Sequence, residues 1–85
     1  MKTVRYAFAA ERSLSKLVVD VRDRIERKVE QYAATGDGDV KAMSGSPTLR
    51  LRVGDYRVIF TEDLVVLDVI DVGHRGQIYR RERNR

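Results

Sequence analysis

The second half of the chain consists of short runs in which apolar and charged residues alternate, a pattern typical of β-strands. Residues 49–53 and 56–61 both alternate in this way, and residues 64–72 form a longer, mostly apolar run. Gly54-Asp55 separates the first two runs and fits a two-residue hairpin turn with glycine at the first central position. These positions predict three strands that follow one another as an antiparallel meander.

The predicted turn fixes how the first two of these strands pair. Arg52 should lie opposite Arg57, and Arg50 opposite Ile59, with all four side chains on one face of the sheet. The other face would point into the core, and it carries Leu49, Leu51, Val53, Tyr56, Val58 and Phe60. Because facing cations repel each other, an arginine-lined face without an obvious structural purpose indicates an anionic partner, for which RNA is the leading candidate.

The next turn, around Glu62-Asp63, is less determined by the sequence. An even-length loop places Asp68 opposite Arg57, whereas an odd-length loop places Asp71 there. We expect the even loop, because it leaves apolar side chains on the core side. Those side chains are Val65, Leu67 and Val69. The two aspartates are then predicted to orient arginines rather than to act as acids.

The first half of the chain predicts one strand followed by two helices. Apolar residues alternate over 3–8, and they recur every three to four positions over 9–18 and 20–34, with Asp20 as the N-cap of the second helix. Glycines and polar residues then predict a loop over 35–47. This order predicts an α+β fold, in which an N-terminal strand, a two-helix hairpin and a three-stranded antiparallel meander form a four-stranded sheet with both helices on one face.

Length and composition limit the classes of protein that fit. A chain of 85 residues makes one domain, residues 1–85, with a small core. It has no cysteine, so neither disulfides nor thiolate metal sites are expected. The N-terminus lacks the apolar run of a signal peptide, and no segment approaches the ~20 apolar residues of a membrane helix. We therefore expect a soluble, cytoplasmic protein that has no membrane partner.

The formal net charge of +4 is concentrated at the C-terminus. Residues 1–73 contain 12 lysines and arginines against 12 aspartates and glutamates, whereas residues 74–85 contain five arginines and one glutamate. A basic tail beside a basic sheet face is the electrostatic pattern of a nucleic-acid-binding protein or of a protein with an acidic partner. The alternative is a solvated terminus that aids solubility.

Four segments of the chain, taken in order, match the motifs of one known family. Lys41–Gly45 is similar to a K-x-L-x-G segment, and Leu51–Phe60 is similar to an L-R-x-G-x-Y-R-hydrophobic block. Val72–Arg75, followed by Ile78-Tyr79, is similar to a V-G-H/K-R ending. Through these segments nearly the whole chain resembles the RelE/ParE superfamily of bacterial type II toxins, and the resemblance implies the RelE-like fold.

The resemblance also implies a function. RelE-type members cleave mRNA in the ribosomal A site and are silenced by an antitoxin, which often represses the shared operon, so operator DNA is expected as a partner only through the antitoxin. ParE-type members have the same fold but poison DNA gyrase. Gly73-His74-Arg75 followed by Tyr79 fits the RelE branch better. The leading prediction is a ribosome-dependent mRNA endoribonuclease; a gyrase poison and a catalytically degenerate member that binds RNA, the ribosome or an antitoxin are the alternatives.

The same resemblance gives roles to individual residues. Arg57 and Arg75 match the family's phosphate-stabilising arginines, and Arg50 occupies the position of a catalytic lysine. Thr48 occupies the position of the family's other active lysine, a departure that leaves the general base unassigned. Tyr79 either matches the C-terminal tyrosine of RelE toxins, at a shorter spacing, or packs on the sheet edge.

Other residues are candidates because of their own chemistry. His74 is the only histidine and suits acid/base catalysis near neutral pH, or else it satisfies the strand end with a hydrogen bond. Arg52 either binds phosphate or pairs with a carboxylate, and Lys41 is either an RNA contact or a solvated loop lysine. Arg80 and Arg81 of the basic tail are further candidates for RNA binding. Because the sequence has no zinc, phosphate-loop or dinucleotide-binding motif, we expect neither a metal nor a cofactor.

Overall fold

The structure, a computed structural model, describes residues 1–78 as a sheet that carries two helices on one face. Its elements are β1 (Thr3–Tyr6), α1 (Phe8–Ser15), α2 (Val19–Thr35), β2 (Asp39–Ala42), β3 (Leu49–Val53), β4 (Tyr56–Glu62) and β5 (Val66–His74). The strand order is β1-β5-β4-β3-β2, with β1 parallel to β5 and the other neighbouring pairs antiparallel. Residues 75–78 are helical and directly follow β5. The predicted α+β fold is confirmed.

The edge strand β2 corrects the predicted number of strands from four to five. The sequence predicts a loop here, because the segment is only four residues long and Val40 is its single large apolar residue. It nevertheless pairs antiparallel with β3, with Asp39 opposite Arg52 and Lys41 opposite Arg50. An edge strand obtains its hydrogen bonds from its neighbour, and short, charged strands are common at sheet edges. The open edge of β3 therefore decides the conformation of this segment.

The hairpin between β3 and β4 has the predicted register. Arg52 pairs with Arg57, and Arg50 pairs with Ile59. Gly54 has a φ of +60°, and no residue other than glycine has a positive φ within residues 1–78, so the turn is of type II′. Glycine reaches this conformation without steric cost, which is why the sequence signal was reliable at this position.

A β-bulge in β5 shifts the pairing of the following strand. Phe60 pairs with Val69, whereas the preceding residue of β4, Ile59, pairs with Asp71. Ile70 is therefore an extra residue on β5. After this point the alternation of β5 between the two faces of the sheet changes phase by one residue.

Both predicted alignments of β4 and β5 are wrong, because the turn is centred between Leu64 and Val65 rather than at Glu62-Asp63, and the bulge adds one further residue. Arg57 lies opposite Gly73, and neither Asp68 nor Asp71 faces it. Asp68 lies beside Arg5 of β1 instead and accepts two hydrogen bonds from its guanidinium. The sequence carries a trace of the shift, because the adjacent apolar residues Val69 and Ile70 interrupt the alternation between Asp68 and Asp71.

The core lies between the helices and the inner face of the sheet. Its buried residues are Ala10, Leu14, Ile25, Val29, Ala33, Leu51, Val53, Val58, Phe60, Leu67, Val69 and Val72. Most of the predicted core face is therefore confirmed, but Val65 is 66% exposed because β5 begins one residue later. At the centre, the rings of Tyr32 and Phe60 meet edge to face with their centroids 5.3 Å apart.

The helices begin where the chain leaves the extended conformation, without side-chain caps. The N-cap of α2 is Val18, and no side chain caps it, so the predicted role of Asp20 as the N-cap is wrong. Asp20 lies in the first turn, where a negative charge is favourable beside the free N–H groups. Gly36 ends α2 with a φ of +78°. Among the described residues, no helix is both long enough and apolar enough to cross a bilayer.

A charged network ties the N-terminus to the ends of α2 and β4. Glu62 accepts a hydrogen bond of 2.6 Å from the Tyr32 hydroxyl and pairs with the Lys2 ammonium. Partial burial acts to raise the pKa of the Glu62 carboxyl, but the hydrogen bonds from Lys2 and Tyr32 and the Lys2 charge outweigh it and lower the pKa. Burial, followed by the bond to Glu62 and its charge, raises the pKa of Tyr32 to about 12.

The network should make stability sensitive to acid. The pKa of Glu62 is lower in the folded chain than in the unfolded chain, where glutamate titrates near ~4.3. The stabilisation is therefore complete above that pH and is lost as pH falls through the lower folded pKa. Glu62→Gln should flatten the decrease in the free energy of unfolding below about pH 4. Urea unfolding at pH 7 and pH 3 measures this difference. Glu30→Gln, at an exposed position of α2, is the matched control and should keep the wild-type acid response.

Candidate nucleic-acid interface

Two cross-strand rows bring basic side chains together on the face of the sheet opposite the helices. In the first row, Asp39, Arg52 and Arg57 are neighbours on β2, β3 and β4. Gly73 of β5 ends this row opposite Arg57. Only the addition of β2 to the sheet brings Asp39 next to Arg52, so the sequence analysis missed this carboxylate.

The second row adds two more cations on the same face. Lys41 of β2 lies opposite Arg50 of β3, which lies opposite Ile59 of β4. We call the four cations of the two rows the basic cluster: Lys41, Arg50, Arg52 and Arg57. The structure therefore brings together four of the residues that the sequence analysis selected, and Lys41 belongs to a strand rather than to a loop.

A cavity of about 90 Å³ lies between the basic cluster and Asp39. At about 30 Å³ per water molecule, it has room for roughly three waters. A phosphate group fits a space of this size. With four cations and one carboxylate in its wall, the cavity attracts anions.

The opposite end of the same sheet face is electrically balanced. Arg5 of β1 donates to both carboxylate oxygens of Asp68 on β5, at 2.9 and 3.2 Å. The hydrogen bonds from Arg5 to Asp68, reinforced by the aspartate's charge, raise the pKa of Arg5. An exposed pair of this kind contributes little to stability, but it neutralises the local charge. Among the described residues, basic side chains outnumber acidic ones on this face at β2, β3 and β4.

The backbone of the hairpin turn holds the Arg57 side chain. Its Nη1 donates to the carbonyl oxygens of Gly54 and Tyr56, at 3.0 Å each. The side chain is 8% exposed, which makes it the only buried charged residue within residues 1–78. The guanidinium therefore has a fixed position at the edge of the cavity, which reduces the entropy lost on binding an anion.

Arg75 is attached to the same turn. Its backbone N–H donates to the Asp55 carbonyl oxygen at 2.8 Å, and its side chain is exposed. The two arginines that match the family's phosphate-stabilising residues, Arg57 and Arg75, are thus both anchored to Gly54-Asp55. One turn thus anchors both the Arg57 guanidinium and the Arg75 backbone.

The structure does not bring His74 to the basic cluster. His74 pairs with Tyr56, one residue along β5 from the Gly73–Arg57 pair, and successive residues of a strand point to opposite faces. Its imidazole meets the Tyr56 ring edge to face, with centroids 5.7 Å apart, on the helix side of the sheet. The backbone N–H of Gly76 donates to His74 Nδ1 at 3.4 Å. This hydrogen bond agrees with the alternative prediction, in which His74 satisfies a backbone group at the end of the strand.

A groove of about 330 Å³ surrounds His74 on the helix side. We call it the His74 groove; it lies between the C-terminal end of α1 and the ends of β4 and β5. Ser13, Lys16, Leu17, Tyr56, His74 and Gln77 contribute to its walls. The groove and the cavity of the basic cluster thus lie on opposite faces of the same end of the sheet.

Three of the predicted site residues, Tyr79, Arg80 and Arg81, lie outside the described residues. Asp71, predicted to orient an arginine, accepts hydrogen bonds from the Ser13 hydroxyl and from the Val72 N–H. Within residues 1–78, no group of three or more histidine, aspartate or glutamate side chains is arranged to hold a metal ion.

Comparisons with solved structures give the class of the fold. The chain is similar to a RelB–RelE antitoxin–toxin complex from Methanococcus jannaschii, with 23% identity, a TM-score of 0.74, and coverage of 91% of this chain and 96% of the other. It is also similar to a RelE–RelB complex from Pyrococcus horikoshii, with 21% identity, a TM-score of 0.75, and coverage of 89% and 97%. A third match is the RelBE2 complex of Mycobacterium tuberculosis, with 26% identity, a TM-score of 0.60, and coverage of 87% and 98%.

Sequence comparison defines the family. The model of the ParE toxin of type II toxin–antitoxin systems matches residues 4–79. No curated protein sequence matches the chain significantly. The chain belongs to the ParE toxin family of type II toxin–antitoxin systems, within the RelE/ParE superfamily.

Proposed function

We propose that this toxin is a ribosome-dependent mRNA endoribonuclease, which inhibits translation and is neutralised by a cognate antitoxin. The observation that supports the proposal is the basic cluster, whose cavity fits a phosphate group and whose Arg57 is held by the hairpin turn. RNA carries one phosphate per nucleotide, so a cavity of this size binds the backbone without selecting a base.

Arginines supply the charge stabilisation in the proposed reaction. When a 2′-hydroxyl attacks the adjacent phosphorus, negative charge accumulates on the phosphorane oxygens. Arg57 and Arg75 stabilise this charge, because a guanidinium is permanently charged and can donate two parallel hydrogen bonds to phosphate. Arg50 and Arg52 bind the flanking phosphates. Tyr79, which the family resemblance suggests, and Arg80 and Arg81 of the basic tail are proposed to extend the contact.

Proton transfer in the proposed reaction requires groups other than arginine. The walls of the cavity contain two side chains that exchange protons more readily, Asp39 and Lys41. Asp39 would accept the proton of the attacking 2′-hydroxyl, and Lys41 would donate a proton to the leaving 5′-oxygen. The two residues alternate on β2 and so lie on the same face. In this arrangement Lys41 of β2 takes the role of the family's lysine whose position Thr48 occupies.

The partners follow from the same proposal. The two archaeal structures are complexes of RelE with RelB, and this supports a cognate antitoxin for the present chain. The ribosome and mRNA are the proposed targets in the cytoplasm, and operator DNA is contacted only through the antitoxin. Acidic antitoxin side chains near the basic cluster would make association fast and sensitive to salt.

Expression of the protein in bacteria without its antitoxin tests the proposed function. We expect growth arrest, and primer extension should show new mRNA ends within translated codons. Growth arrest with intact mRNA and inhibited supercoiling would contradict the nuclease and identify a gyrase poison. The absence of growth arrest would identify a degenerate member. Co-expression of the adjoining gene should restore growth, and its product should co-purify with the toxin.

Gyrase poisoning is the second candidate, because the matching family model is that of the ParE toxin. A basic sheet face is compatible with a protein target as well as with RNA. The purified protein distinguishes the two candidates: a nuclease produces RNA ends on programmed ribosomes, whereas a gyrase poison stabilises cleaved DNA in a supercoiling assay. Inhibited translation without new RNA ends would instead favour a binding-only toxin.

A further inference from the structure

The His74 groove and the basic cluster meet at one end of the sheet. Tyr56 and Arg57 are successive residues of β4 and point to opposite faces, as do Gly73 and His74 on β5. Arg75, tied to Asp55 of the turn, lies at the edge between the two faces. An extended ligand that leaves the cavity of the basic cluster at this edge therefore enters the His74 groove by passing around the end of the sheet.

The sizes of the two spaces are complementary. The cavity of about 90 Å³ accepts a phosphate, but the sugar and base attached to it must lie elsewhere. The groove of about 330 Å³ is within the range of small-molecule sites, roughly 300–1,000 Å³. It is large enough for the base and sugar of a nucleotide.

The chemistry of the groove fits a nucleotide. The Lys16 ammonium can bind a phosphate, and the Gln77 amide can bind a base edge. Because His74 Nδ1 accepts the Gly76 N–H, its Nε2 is the nitrogen that carries the proton in the neutral ring and can donate it in a hydrogen bond. The Tyr56 ring and Leu17 provide apolar surface on which a base can stack.

We propose that the His74 groove binds the nucleotide next to the one whose phosphate occupies the basic cluster, so that single-stranded RNA bends around the end of the sheet. This proposal rests on the proposed RNA-directed function. It gives His74 a binding role on the face opposite the arginines. It also explains the grouping of donors and an aromatic ring on the helix side of the sheet.

Binding of 2′-O-methyl RNA, which cannot be cleaved through a 2′-hydroxyl, tests the proposal with the full-length protein. Fluorescence anisotropy compares an RNA of six nucleotides with a single nucleotide carrying one phosphate, which has no neighbour to place in the groove. Lys16→Ala and His74→Ala should each weaken the binding of the RNA by about fivefold or more, the lower end of the effect of losing one stacking contact. Lys16→Ala should also reduce the steepness of the plot of log binding constant against log salt concentration by about 0.7, the value for one phosphate contact on a single strand. Binding of the single nucleotide should not change.

Matched controls make each outcome informative. Lys28→Ala, an exposed lysine of α2, removes the same charge away from the groove and should affect neither ligand. An equal loss for Lys28→Ala and Lys16→Ala, or an equal loss for both ligands, would overturn the proposal. Unchanged RNA binding with weakened binding of the co-purified partner protein would show that the groove is a protein interface.

The same measurements distinguish failure of the groove proposal from failure of the proposed RNA-directed function. If Arg52→Ala weakens both ligands while the groove variants weaken neither, only the groove proposal fails. If neither ligand binds the wild-type protein, the RNA-directed function fails and the groove proposal with it. As a second readout, RNA with 4-thiouridine next to the bound phosphate should cross-link to peptides that contain Tyr56 or His74. Cross-links confined to β2 and β3 would overturn the proposal.

Discussion

Arg75→Ala should allow cells that express the protein to grow, while the protein still accumulates and folds. The Arg75 side chain is exposed, and the bond that anchors the residue to the turn comes from its backbone N–H, which alanine retains. The substitution therefore removes the guanidinium without disturbing the hairpin. Losing one donor to a developing negative charge costs on the order of 10²–10³ in rate. Single-turnover cleavage of mRNA on programmed ribosomes measures this loss.

Two further variants separate charge from geometry. Arg75→Lys keeps the charge but loses the fork that donates two bonds to phosphate, so its rate should fall between those of the wild type and Arg75→Ala. Arg27→Ala, at an exposed position of α2, lowers the net charge equally and should leave the rate unchanged. A fully active Arg75→Ala enzyme would exclude Arg75 from the reaction. Arg57→Ala is a less direct test, because its guanidinium also satisfies two carbonyl oxygens of the turn.

Phe60→Ala should lower the free energy of unfolding by about 3–5 kcal/mol. Phe60 is 1% exposed and contacts Tyr32 at the centre of the core, so its removal leaves a cavity and also ends an aromatic contact. Small domains have a total stability of about 5–15 kcal/mol, so this loss is a large fraction of it. Urea unfolding followed by circular dichroism at neutral pH measures the change.

The chain contains its own control for the core prediction. Phe8 is the other phenylalanine, and its side chain is 75% exposed at the start of α1. Phe8→Ala should change stability by no more than about 0.5 kcal/mol, as is usual for surface substitutions. Similar losses for the two variants would contradict the assignment of Phe60 to the core.

The sequence predicted the parts of the fold that local chemistry determines. Gly54 permits only a few turn types, and this determined the register of Arg50 and Arg52 with β4. Strand β2 and the bulge at Ile70 were not predictable in this way, because both depend on what the neighbouring strand offers. Asp39–Ala42 has no apolar pattern of its own, and the apolar pair Val69-Ile70 does not show which of its two residues lies outside the pairing.

The candidate site was predictable to a similar extent. The four members of the basic cluster were all selected from the sequence, and the structure places them around one cavity. Asp39 was missed because its neighbours became known only when β2 joined the sheet. His74 was a candidate for acid/base catalysis because it is the only histidine, but the phase of β5 places its side chain on the opposite face of the sheet from the basic cluster. The catalytic roles of these residues stay predictions.

The bulge at Ile70 decides which residues of β5 face the helices. Without the bulge, uninterrupted alternation through residue 70 would turn Val72 outward and bring His74 to the same side as the arginines. A chain that lacked residue 70 would not need the bulge, because Asp71 would still pair with Ile59 and His74 with Tyr56. Relatives with and without this residue would therefore keep the same arrangement of functional groups, and alignment across this position should follow the structure rather than the letters.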